Sequence, residues 1–424
     1  MAPDSCTRRC FCDNGSGGTG RWERDRRAAA RGGGEIAVKP GTGGSTALLT
    51  CAMAFSMMQL FLLGALGPRL VADLGVSPTV LGLTTTVGFA TAAVLSPLGG
   101  RVVDRLGPRR ALVVLLAVAA VALALIGSAP GAGFLLAAVA LGGLPQALAN
   151  PATNKAILAA VPPARRASVT GTKQSGVQLG AFAAGLPLAA LAGLAGWRGA
   201  VWTAAGAAAV AAVWAALALP PDPPARSTRA VWVPRGMIAW LTAFSLLLGC
   251  GIASVNTYLA LYGAERLALG PTAAGALVAV LGLAGIAGRM GWSKVAGRPD
   301  RAVWLPGSLA AAAVAAAVLL AGSSAARPLV WVAAVAVGVF AVSANAVSMV
   351  LVMQRTPPGR AGQDSALVSA GFFAGFALGP PLFGLLAESG RYGGGWLLVA
   401  GEFAGAAAVA LLWAVRDRRA DVPS

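Results

Sequence analysis

Residues 100–110 read GRVVDRLGPRR. Arg101, Asp104, Arg105, Arg109 and Arg110 crowd five charges into this stretch, with Gly100 and Gly107 among them. The segments on either side, 77–99 and 111–128, carry no charge at all. A charged island between two long apolar runs is what a short loop between membrane-crossing helices looks like. Gly100 and Gly107 give the backbone freedom to turn, and Pro108 suits the first turn of the following helix.

The rest of the 424-residue chain bears this out. It is 57% hydrophobic and 11% charged, against about 25% charged in soluble domains. So little polar surface cannot cover the chain in water, which makes it an integral membrane protein. Apolar runs recur near 45–66, 77–99, 110–128, 131–151, 171–195, 198–219, 237–262, 271–291, 302–321, 328–352, 365–388 and 394–415. Each is long enough to cross a hydrocarbon core of about 30 Å as a helix, and none shows the alternation of a barrel strand. Helices also satisfy their own backbone groups in lipid. The expected fold class is all-α, with twelve transmembrane helices.

The formal charge of +18 falls largely in loops and in the N-terminal segment, which argues for a lipid bilayer and against nucleic acid as partner. Of the Lys and Arg residues outside residues 1–44, twenty fall in one set of alternate loops and five in the other. By the positive-inside rule both termini face the cytoplasm, and an even number of crossings agrees. The expected location is the plasma (inner) membrane. Trp197, Trp240, Trp292, Trp304, Trp331 and Trp396 sit near helix ends, as interfacial anchors do.

The residues for most other chemistries are missing. There is no histidine, and of five cysteines Cys6, Cys10 and Cys12 cluster near the start while Cys51 and Cys250 stand alone in apolar runs. No metal set, disulfide framework or cofactor motif follows. No GxxxxGK[ST] loop occurs, which argues against an ATP-driven pump. An enzyme is not expected.

The chain also repeats itself. PPARRASVTGTKQSGVQLGAF at 162–182 parallels PPGRAGQDSALVSAGFFAGFA at 357–377. Each opens on a proline pair and runs into a small-xxx-small pair, Gly176 with Gly180 and Gly371 with Gly375, the spacing that lets helix backbones approach in lipid. The fifth helix thus matches the eleventh, and six helices match six. The expected division is a disordered cytoplasmic arm at 1–44, a bundle at 45–219, a linker at 220–236, a second bundle at 237–415 and a tail at 416–424. An upstream start adding non-native residues accounts for 1–44 equally well.

A parallel six-plus-six repeat joined by a cytoplasmic linker belongs to one class of transporters, and here GRVVDRLGPRR becomes specific. Gly100-xxx-Asp104-Arg105-x-Gly107-x-Arg109-Arg110 resembles the signature of the major facilitator superfamily between helices two and three. The resemblance covers about residues 45–415. It implies two pseudo-symmetric six-helix bundles and a gating role for the motif, with Asp104 facing the N-terminus of helix eleven when the cytoplasmic side is closed. Asp364, at the start of that helix, would then need bridging from Asp104 by Arg101, Arg105 or Arg360. In the second half, Gly297 stands where the aspartate would be. The alternative is that the loop only sets topology.

The resemblance further implies a central cavity lined by helices 1, 4, 7 and 10, helped by 2, 5, 8 and 11. Polar side chains on these helices are the candidate substrate contacts: Gln59 beside Ser56, Gln146 and Asn150 in register with Asn154, then Lys173, Gln174 and Gln178, and in the second half Asn256 and Asn345. The alternative is that they hold helices together, at about 0.6 kcal/mol each. Lys173 either attracts an anion or snorkels to the cytoplasmic interface. GTKQSGVQLG, 171–180, is similar to the matching segment in branches that include cyanate- and anion-type carriers. Glu402, in the last helix, stands away from the expected cavity, so proton coupling is not indicated. The expected function is secondary transport of a small solute by a monomer through alternating access. A transport-inactive sensor on the same scaffold is the alternative.

Overall fold

A computed structural model describes residues 42–75, 78–222, 233–269, 271–357 and 360–420. Most of the expected arm, the middle of the expected linker and the last four residues lie outside this set. The described chain folds into twelve long helical spans. The first six are Thr42–Ala65, Pro78–Leu106, Pro108–Gly127, Ala132–Ala160, Pro163–Gly185 and Pro187–Ala218. The second six are Met237–Glu265, Pro271–Val295, Leu305–Gly322, Leu329–Arg355, Ala361–Glu388 and Tyr392–Ala420. Pro108, Pro163 and Pro187 each sit in a first helical turn, where a missing N–H costs nothing.

Among the described residues, eleven helices are long and apolar enough to cross a membrane. Pro163–Gly185 is too polar to be one of them. It buries Lys173, Gln174, Ser175 and Gln178, so protein rather than lipid surrounds its polar side. The sequence expectation of a fifth helix over 171–195 needs correcting. Pro163 opens the helix eight residues earlier, and Leu186 followed by Pro187 closes it. The apolar stretch 187–195 belongs to the sixth span, which kinks at Gly196 (φ 70°).

Two spans are interrupted along their length. The fourth breaks at Gly142 into Ala132–Leu141 and Gly143–Ala160. The tenth passes through a π-helical turn at Val337–Val342 before resuming at Ser343. Such turns free main-chain carbonyls and often mark functional sites.

The packing repeats with an offset of six spans. The first packs on the fifth and the seventh on the eleventh; the third on the sixth and the ninth on the twelfth; the second on the fourth and the eighth on the tenth. Between the halves, the second span packs on the eleventh and the eighth on the fifth, which the same offset relates. The glycine pairs mark the closest contacts. A methyl at Gly176 or Gly180 would collide with the Thr50 or Ala54 carbonyl of the first span, and one at Gly371 or Gly375 with the Thr242 or Leu246 carbonyl of the seventh. Without side chains to keep them apart, these backbones meet directly, as small-xxx-small surfaces do in lipid.

Candidate functional site

The two halves meet along a polar seam, and the first contact is at GRVVDRLGPRR. Gly100 lies against the start of the eleventh span, where a Cβ would fall 2.7 Å from that of Ala366. Asp104 reaches the same helix end: a Cβ on Gly362 would come 2.6 Å from its Oδ1, and it accepts a hydrogen bond from the Gln363 N–H. Its ion-pair partner is Lys155 on the fourth span, 3.1 Å away. Asp364 is paired separately, with Arg360 at 3.0 Å. A lysine thus neutralises Asp104 where an arginine was expected, and Arg360 pairs with Asp364. Arg105 and Arg110 are exposed. Gly107, at φ 87°, brings the next helix start against Asp222. The Asp222 carboxylate accepts the main-chain N–H groups of Arg109 and Arg110 at 2.7 and 2.9 Å, and the Arg109 guanidinium donates to the Ala216 carbonyl.

Deeper in, hydrogen bonds cross the seam. Asn154 Nδ2 donates to Ser365 Oγ at 2.8 Å and Asn150 Nδ2 to Ser369 Oγ at 3.0 Å. Asn150 is the hub. Its Oδ1 accepts from Lys173 Nζ and from Gln174 Nε2, each at 3.0 Å. Lys173 also donates to Thr153 Oγ1 at 2.8 Å and is wholly buried. From the other half, Arg289 on the eighth span enters the same layer. Its Nε donates to the Val342 carbonyl of the π turn at 3.2 Å, and its Nη1 donates to the Gln174 carbonyl of the fifth span. Sequence reasoning placed Arg289 in a basic loop. Yet it stands within the expected eighth helix, 271–291, and a cation inside a span is itself a signal of a lined cavity.

Above this layer is a cavity of about 30 Å³, lined by Met53, Ser56, Met57, Phe61, Ala149, Asn150, Gln174, Val177, Gln178, Ile252, Asn256, Arg289, Val342, Asn345, Phe372, Phe373 and Phe376. That is room for about two waters at about 15 Å³ each. The structure thus brings Asn150, Gln174, Gln178, Asn256 and Asn345 together around one space. Asn150 and Asn345 stand 195 residues apart, the same offset as the proline pairs, and both line it as repeat equivalents. Three expected contacts lie outside the lining. Lys173 sits behind Asn150 and Gln174. Gln59 packs on the break in the fourth span, with Nε2 3.4 Å from the Val139 carbonyl. Gln146 is buried with neither amide atom hydrogen-bonded. A wider opening of about 460 Å³ lies toward the arginine-rich face, between the start of the fifth span and the end of the tenth.

This geometry can be set beside known proteins. The sequence profile of the Major Facilitator Superfamily matches residues 49–368. The chain belongs to that superfamily. Major facilitator transporters are also its structural neighbours, and the fold is theirs. The human organic anion transporter MFSD10 (TETRAN) superposes with a TM-score of 0.70 at 16% identity, covering 89% of this chain and 99% of that one. A bacterial homologue of the iron transporter ferroportin, in an outward-facing state, gives 0.68 at 16% identity over 88% and 99%. The E. coli fucose:proton symporter FucP gives 0.65 at 14% identity over 87% and 98%. No curated protein matches the chain in sequence. As a major facilitator protein it is a multi-pass membrane protein of a transporter family.

Proposed function

We propose that the protein is a secondary transporter that carries a small solute through the seam between its halves by alternating access. The halves are residues 45–219 and 237–415, joined by the linker at 220–236. It acts as a monomer in the plasma membrane with both termini in the cytoplasm. The observation that carries this reading is the cavity to which both halves contribute, with Asn150 and Asn345 at equivalent positions. A site built from two repeats can be exposed to one side or the other as the repeats rock.

The bonds that join the halves support a gate on the arginine-rich face. Asp104 against the eleventh span, Asn154 with Ser365 and Asn150 with Ser369 all lie between the cavity and that face. The motif residues Gly100, Asp104, Arg105, Gly107, Arg109 and Arg110 build this gate. Gly100 and Asp104 make the contact, while Gly107, Arg109 and Arg110 set the helix start that Asp222 caps. Gln59, Gln146, Asn150, Lys173, Gln174, Gln178, Asn256 and Asn345 form or support the solute site.

The test is flux. The purified full chain is reconstituted in vesicles and offered a panel of small solutes, with and without a pH gradient. Saturable uptake of at least one solute supports transport. No flux of any solute under any gradient sinks it and favours the sensor reading.

A further inference from the structure

The cavity has an unbalanced charge. Arg289 lines it and Lys173 stands one residue behind the lining, yet no Asp or Glu lines it among the described residues. Two buried carboxylates of the seam are engaged elsewhere: Asp104 with Lys155, and Asp364 with Arg360. Glu402, on the twelfth span, lies outside the lining. Lys173 meets only the neutral oxygens of Asn150 and Thr153. Arg289 meets only main-chain carbonyls, and its Nη2 has no hydrogen-bond partner among the described residues. Buried charges are ordinarily paired. Here two cations from opposite halves share one layer with no Asp or Glu between them among the described residues.

We infer that the cavity, widened as the halves part, takes a small organic carboxylate, with Arg289 as its direct contact and Lys173 supplying charge from behind Asn150 and Gln174. This rests on the transporter reading and names its substrate class. A planar guanidinium offers N–H groups in a fork that matches the two oxygens of a carboxylate. The same lining includes Phe372, Phe373 and Phe376 with Met53 and Met57, apolar surface suited to a carbon body and poorly suited to a hydrated inorganic ion. Asn345 adds an unpartnered Oδ1, an acceptor for a hydroxyl or amide on that body. Arg289 also has a positional part. Its bonds to Val342 in its own half and to Gln174 in the other mean that a ligand on its free edge touches both halves at once.

The experiment measures thermal unfolding of the purified full chain in detergent, titrated at constant ionic strength. The probes are sodium acetate, lactate, benzoate and thiocyanate, with benzamide as the neutral isostere of benzoate. The expected result is a saturable rise in melting temperature with one or more carboxylates, none with benzamide, and at least tenfold weaker binding in Arg289→Gln. Arg289→Lys, which keeps charge but loses the fork, should fall between. If Arg289→Gln fails to fold, the benzoate–benzamide contrast and Arg289→Lys decide the matter. Stabilisation by thiocyanate alone, equal stabilisation by benzamide, a carboxylate effect unchanged in the variants, or no effect of any anion would overturn the inference. Vesicle flux separates the two readings. Uptake of neutral or cationic solutes without carboxylates leaves the transporter standing and removes the anion site, whereas carboxylate binding without flux of anything removes the transporter.

Discussion

Lys155 Nζ lies 3.1 Å from Asp104 Oδ1 and donates to the main-chain carbonyls of Val103 and Asp104, also at 3.1 Å. One ammonium thus neutralises the carboxylate and closes the end of the second span. With its charge balanced, Asp104 can rest against the first turn of the eleventh span although Asp364 stands in that same turn.

Replacing Asp104 with Asn should loosen this gate. The lost attraction to a helix N-terminus is worth about 1 kcal/mol, which shifts a two-state balance roughly fivefold. Cysteine probes introduced on the arginine-rich face should label faster in Asp104→Asn, and the transport rate should change. An unaltered rate with unaltered labelling would leave the loop with a topological role only.

Lys173→Met should separate stability from activity. An ammonium buried without an anion costs several kcal/mol even after relaxation. Its loss leaves Asn150 Oδ1 still bonded by Gln174 and Thr153 Oγ1 still donating to the Ala149 carbonyl. The melting temperature should therefore hold or rise while solute uptake drops at least tenfold. A fall in stability with full uptake would make Lys173 a structural residue.

The two glycine seams should respond alike. In Gly176→Leu and Gly371→Leu the new side chain meets the backbone of the first or seventh span. Overpacking of a tight core costs about 1–3 kcal/mol or more. Both variants should lose yield and melt earlier, whereas Gly282→Leu, where a Cβ meets open space, should behave as the parent. Tolerance at one of the two seams would break the equivalence of the halves.

Asp222 caps the third span from beyond the sixth. Asp222→Ala should cost about 1 kcal/mol, read as a lower melting temperature. Asp222→Asn, which keeps an acceptor oxygen, should lose less.

Hydropathy was enough to locate eleven of the twelve spans, because lipid demands long apolar runs. It failed at the fifth for a definite reason. That helix turns a polar side to Asn150 and Arg289 rather than to lipid, and hydropathy cannot distinguish a buried polar face from a loop. Its Ala- and Leu-rich continuation past Pro187 then read as one unbroken run. Five of the expected amides stand around one cavity, since polar side chains in a span turn to protein or a lined space rather than to lipid. The equivalence of Asn150 and Asn345 follows from the same 195-residue offset as the proline pairs, but the polar stripes alone did not show it. Arg289 was missed because a basic residue near a helix end reads as loop charge. The pairings of Asp104 with Lys155 and of Asp222 with the third span depend on chain segments 51 and more than 100 residues away, and local sequence carries no record of them.

The rocking of two halves around a shared seam is tested most directly by locking that seam. Asn154 Nδ2 and Ser365 Oγ are 2.8 Å apart across it. In a background with the native cysteines replaced, the double variant Asn154→Cys, Ser365→Cys should crosslink on mild oxidation, lose solute flux while crosslinked and regain it on reduction. Undiminished flux through the crosslinked protein would contradict the account.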